Sequence, residues 1–148
     1  MVEETIKIPR YLNQLSDILK SYEFHFRKHL DDFDLTMGEL PILLGIYENE
    51  GLNQIDLVKK FHVTEANISK TTKHLLQKGL IIKEVDAENN TKKLLFLTED
   101  GEKLCIKLGK LFEEWKDMII GEIPKDDLIV FSKVLLAFSE NANIYINK

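Results

Sequence analysis

The chain has 148 residues, 44% apolar and 30% charged, with a net charge of −5 and one cysteine. That length and balance fit one compact domain with helical extensions and exclude a disordered or fibrous chain. A lone thiol, Cys105, excludes an internal disulfide framework and cannot build a structural zinc site by itself.

The opening Met1-Val2-Glu3-Glu4 is acidic where a secretory signal would be basic and then apolar. No apolar run approaches the roughly 18–20 residues that span a bilayer, so a cytoplasmic protein is expected. The charge is unevenly spread. From Gly51 to Lys93 there are eight lysines against five acids, while the remainder holds 12 basic and 20 acidic residues. A locally basic middle third sits between acidic flanks, which permits nucleic-acid binding without demanding it.

Pro9 suits a first helical position, and Leu12, Leu15, Ile18, Leu19, Tyr22 and Phe26 repeat at helical spacing towards Leu30. Asp31-Asp32-Phe33-Asp34 breaks that helix. Thr36 and Glu39 then form a capping-box pattern ahead of Leu40, Leu43, Leu44 and Tyr47. Pro41 means this helix either loses a backbone hydrogen bond or starts slightly later, and Gly51 is expected to stop it. Asn53 caps a short helix carrying Ile55, Leu57, Val58 and Phe61. His62-Val63 is a tight turn, and Thr64 caps another helix running to Gly79. Helix, short turn, helix is the helix-turn-helix arrangement.

Residues 80–85 and 93–97 read as two strands joined by the turn chemistry of Asp86-Ala87-Glu88-Asn89-Asn90. Thr98 caps a helix through Leu104, Leu108, Leu111, Phe112 and Trp115 to about Gly121. Pro124 opens a last one with Leu128, Phe131, Leu135 and Phe138. The expected fold is mainly α with a small β-hairpin wing: a winged helix-turn-helix (35–98) between an N-terminal dimerisation helix (1–34) and C-terminal helices (99–148). So much apolar surface on terminal helices predicts a second copy of the chain as its cover.

These pieces together resemble the MarR family of winged helix-turn-helix transcriptional regulators. The likeness is carried by Leu35-Thr36-x-x-Glu39, Leu52-Asn53-Gln54-Ile55-Asp56-Leu57-Val58, Val63-Thr64 with Ile68-Ser69-Lys70, Leu75-x-x-Lys78-Gly79-Leu80-Ile81 and Leu97-Thr98-Glu99-Asp100-Gly101. It implies a homodimer on a pseudo-palindromic operator in double-stranded DNA, commonly a repressor. In the family an arginine before the second wing strand enters a minor groove. Here Asn89-Asn90-Thr91 stands there, followed by Lys92 and Lys93, and the Gly51–Lys93 stretch holds no arginine. A lysine reads a minor groove less well than a planar guanidinium.

On the Thr64–Lys78 helix, Ile68, Thr72, Leu75 and Leu76 form the face expected to pack inward. Asn67, Lys70, Thr71 and His74 form a polar stripe opposite, flanked by Ser69 and Lys73. An asparagine can read adenine bidentately, a lysine suits guanine or phosphate, and a threonine methyl can touch thymine. The Thr64 and Ser69 hydroxyls suit phosphate contacts, as do Lys92 and Lys93 on the wing.

The resemblance further implies a small aromatic or anionic effector in a crevice lined by Tyr22, Phe26, His29, Leu43, Ile46 and Tyr47. Redox-sensing members carry their reactive cysteine near the chain start, so Cys105 is expected to be a buried structural thiol. His25 and His29 lie one helical turn apart, a spacing that can hold a metal, with Glu23, Glu48 or a partner chain as sources of further ligands. Without a motif specifying those ligands, no metal and no cofactor are expected. No glycine-rich phosphate loop, nucleophile elbow or metal-ligand cluster points to an enzyme. The rival reading is a winged-helix protein–protein module, or a duplex binder without sequence preference.

Overall fold

The computed structural model describes residues 9–148, so the acidic opening and the start of the proposed N-terminal dimerisation segment lie outside the described residues. Six helices and one hairpin follow the expected order. They are α1 (Arg10–Leu30), α2 (Glu39–Glu48), α3 (Gln54–Phe61), α4 (Glu65–Gln77), β1 (Ile81–Val85), β2 (Lys93–Leu97), α5 (Glu99–Ile120) and α6 (Lys125–Ile146). The chain divides into two compact units, one reaching Trp115 and the other Lys116–Lys148.

Local chemistry sets the ends of these elements. A single 3₁₀ turn, Asp31–Phe33, follows α1, and Asp34 turns left-handed at φ 51°. There the Leu35 N–H reaches the Leu30 carbonyl at 3.1 Å and the Asp34 N–H the Asp31 carbonyl at 3.2 Å, a Schellman closure with aspartate in place of glycine. Gly79, at φ 71°, ends α4 in the same way, with Leu80 N–H on the Leu75 carbonyl at 3.1 Å. Asn53 and Asp56 form a complete capping box on α3, and Thr64 caps α4 by accepting the Asn67 N–H at 3.1 Å.

Two expectations change in detail. Helix α2 begins at Glu39, which puts Pro41 inside the first turn, where its missing N–H costs nothing. The Thr36 oxygen does accept the Glu39 N–H at 3.2 Å, but its hydroxyl donates to the Glu39 carboxylate, so only half of the box forms. Gly51 (φ 89°) does not cap α2, which stops at Glu48. Instead its N–H donates to the Leu95 carbonyl at 2.8 Å, and the Leu95 N–H returns to the Leu52 carbonyl at 2.8 Å. The segment before α3 is thereby stitched to the wing as a one-bridge third strand.

The hairpin runs antiparallel from Ile81 opposite Leu97 to Val85 opposite Lys93. In the first unit, Phe26, Leu40, Leu43, Ile46, Leu57, Ile68, Leu75, Leu95 and Leu108 are fully buried, so α1, the winged module and α5 share one core. Tyr22 and Phe26 pack on Phe112 with ring centroids 5.9 and 4.4 Å away, and the Trp115 indole N–H donates to Ser21 Oγ at 2.9 Å. In the second unit, α6 buries none of its residues, and Ile129, Val130, Phe131, Val134, Leu135 and Leu136 are all exposed.

The wing root is the tightest point. Thr98 N–H donates to the Leu80 carbonyl at 3.0 Å, and its hydroxyl donates to the Gly79 carbonyl at 2.6 Å. The same hydroxyl oxygen caps α5 by accepting the Gly101 N–H at 3.0 Å. A Cβ on Gly101 would stand 2.0 Å from the Leu80 oxygen, whereas one on Gly109 would meet nothing within 4 Å. Gly101→Ala should therefore destabilise the protein by about 2 kcal/mol or more. Gly109→Ala, at an open helical position, should be neutral or stabilise by up to about 1 kcal/mol. Urea denaturation of the two variants checks both signs.

Candidate nucleic-acid interface

Helix α4 is held against α3 by an apolar seam and one polar clasp. Leu57, Ile68 and Leu75 are fully buried, and Gln54 Nε2 donates to Thr72 Oγ1 at 3.0 Å while that hydroxyl donates to the Ile68 carbonyl at 2.9 Å. Glu39 and Lys78 fix the far end of α4. The Lys78 ammonium donates to the nearly buried Glu39 carboxylate at 2.7 Å and to the Asp34 carbonyl at 2.5 Å. Removing either partner would leave the other charge poorly solvated.

With the helix so seated, Thr64, Asn67, Ser69, Lys70 and Lys73 are exposed, and His74 is half-buried. Thr71 corrects the expected stripe. It is buried, with 8% exposure, because α4 turns it towards the core beside Thr72. Its hydroxyl donates to Asn67 Oδ1 at 3.2 Å, which orients the asparagine amide and leaves the second lone pair and the NH₂ group outward. Thr71 therefore supports Asn67 instead of touching a base. The Thr64 oxygen is likewise committed to the helix cap.

Lys92 and Lys93 are exposed on the wing. They line a cleft of about 440 Å³ with Lys83, Asn89, Thr91, Asn53, Gln54 and Ile55. A second, of about 350 Å³, joins Gln54, Ile55 and Val58 to Glu65, Ala66 and Ser69 of α4. Gln54 and Ile55 belong to both, so the wing lysines and the first turns of α4 form one continuous surface across the α3 N-terminus. Lys83 and the α3 start were absent from the sequence-based set. Lys83 faces Leu95 in the hairpin register, a placement the strand pairing alone reveals. The wing tip is ordered by its own side chains: Asn89 Oδ1 accepts from both Thr91 N–H and Thr91 Oγ1, at 3.1 and 2.7 Å.

The expected effector crevice is differently built. Phe26, Leu43 and Ile46 are fully buried in the core and Tyr22 packs among the aromatic rings, whereas Tyr47 is 47% exposed. Three of the six positions are thus closed by mutual packing. His29 is half-buried and faces His25.

The model of the MarR family matches residues 35–91, from the loop before α2 to the wing tip. A crystal structure of MarR is 28% identical with a TM-score of 0.78, covering 96% of this chain and 95% of that one. Residues 35–91 thus match the MarR-family domain, and the chain as a whole shares the fold of MarR. Among curated relatives, the HTH-type transcriptional regulator YybA of Bacillus subtilis (strain 168) is 29% identical over 141 residues. That match covers 95% of this chain and 87% of YybA. A MarR-family regulator from Listeria monocytogenes, crystallised with a 26mer DNA, shares the fold at 24% identity. Its TM-score is 0.80, with 94% of this chain and 91% of that chain covered. Among the described residues no helix is long and apolar enough to cross a membrane.

Cys105 is buried, as expected of a structural thiol. Burial, and then the nearby Glu102 charge, push its thiol up to about 11. A raised value favours the neutral thiol, so in the folded protein alkylation should stay slow at pH 8 and accelerate only towards pH 11. An unfolded control should react near the ordinary thiol range. Iodoacetamide labelling followed by mass spectrometry measures both.

Proposed function

We propose that this chain is a sequence-specific, homodimeric DNA-binding regulator that acts as a repressor, and that α4 enters the major groove. The observation that carries the reading is the continuous surface from Ala66 and Ser69 on α4, across Gln54 and Ile55, to Lys92 and Lys93, with Asn67 and Lys70 exposed on the same helix. Asn67 presents an oriented amide suited to adenine, and Lys70 and Lys73 supply charge for guanine or phosphate. Ser69 and the wing lysines Lys83, Lys92 and Lys93 take phosphates, which position the protein without reading sequence. His74 lies half-buried one turn beyond Lys70 on the same helix.

The apolar faces of α6 and of the first half of α1, including Leu12, Leu15 and Leu19, support a second copy as their cover. A twofold pair would space two α4 helices for half-sites about one helical turn apart. Relief by a small aromatic or anionic effector would act by favouring a different spacing of those helices. It would have to enter elsewhere than the space already filled by Phe26, Leu43 and Ile46.

The test is binding to duplexes selected from a random pool and then altered one base pair at a time. Asn67→Ala should relax preference at one base position by about 1–3 kcal/mol. Lys92→Ala should weaken all duplexes alike and lower the salt slope by about one. A uniform loss on Asn67→Ala would remove it from base reading.

A further inference from the structure

We infer that His25, His29 and Glu114 form a binding site for a borderline divalent cation of the zinc, cobalt or nickel class, apart from the DNA-facing surface. His25 and His29 stand one turn apart on α1, and α5 brings Glu114 across to them, so that one ligand atom from each residue lies within 4.8 Å of the others. The two imidazoles face each other with centroids 5.5 Å apart. His25 Nε2 is 3.7 Å from the Glu114 carboxylate.

Two imidazoles and one carboxylate match such ions and not magnesium or calcium, which prefer all-oxygen shells. Ligand atoms on one tetrahedral ion stand roughly 3.3 Å apart, so closing the site takes rotamer adjustments of about an ångström. The exposed Glu114 side chain and the half-buried His29 are free to make them. His25 is already held in place: it is buried, and its Nε2–H donates to the Leu111 carbonyl at 3.0 Å, which leaves Nδ1 as its nitrogen for an ion. A ring fixed from outside the ligand set is what orients imidazoles in metal sites. Three protein ligands leave a fourth position for water or a small anion. An ion here would clip α1 to α5 beside the Tyr22–Phe112 contact.

The experiment is titration of the full-length metal-free protein with cobalt(II), read by visible d–d absorption, and with zinc(II), read by competition against a chromophoric chelator. The expected result is one ion per chain without a thiolate charge-transfer band, together with a rise in Tm as zinc is added. His29→Gln and Glu114→Gln, neither in the buried core, should keep the wild-type far-UV circular dichroism and lose at least about tenfold in affinity. The inference is overturned if wild-type protein takes up no ion at millimolar concentration. It is equally overturned if uptake is undiminished in both variants, which would place the ion at His62, His74 or elsewhere.

Discussion

The fold hangs on the short contact between the Leu80 carbonyl and Gly101. At that point α4 has just ended at Gly79, the first wing strand is beginning, the second has just finished, and α5 starts. Thr98 joins three of these by bonding the Leu80 and Gly79 carbonyls while capping α5. The helix start can approach the strand because residue 101 has no side chain: a Cβ there would overlap the Leu80 oxygen. The orientation of α4 relative to the wing follows from this junction, from the Gln54–Thr72 clasp and from the Glu39–Lys78 pair. A DNA reader needs that rigidity, because a groove-entering helix and a flanking hairpin must meet one duplex together.

Much of this was legible in the sequence because caps and turns are local. Asn53 with Asp56, Thr64 and Thr98 each satisfy N–H groups within three residues, so the residue types alone announce the helix starts. The hairpin followed from two β-rich runs around a polar turn. Contacts between distant segments were not legible. Nothing near Leu52 signals its bridge to Leu95, and the Glu39–Lys78 pair spans 39 residues. Thr71 was misplaced because it sits at the edge of two helix faces, next to Thr72, where a small polar residue suits core and solvent alike. Likewise the sequence offered Glu23, Glu48 or a partner chain as neighbours for the histidine pair, whereas helix crossing brings Glu114 within reach of it.

The acidic total charge and the absence of a wing arginine pull in the same direction, towards a binder that relies on geometry more than on bulk attraction. Three lysines on the wing, joined to α4 through Gln54 and Ile55, concentrate positive charge where a duplex would lie. On the proposed reading, the acidic flanks would lower non-specific attraction and so sharpen the ratio between the right duplex and all others. Specificity, on the same reading, would rest on the few oriented groups of α4, above all the Asn67 amide held by Thr71.

That claim is tested most directly by measuring affinity for the DNA upstream of its own gene against a scrambled duplex of equal length, over a range of salt. The account predicts a preference of about a thousandfold or more that persists as salt rises, with both affinities falling along log-linear slopes. Equal affinities that vanish together with salt would contradict it.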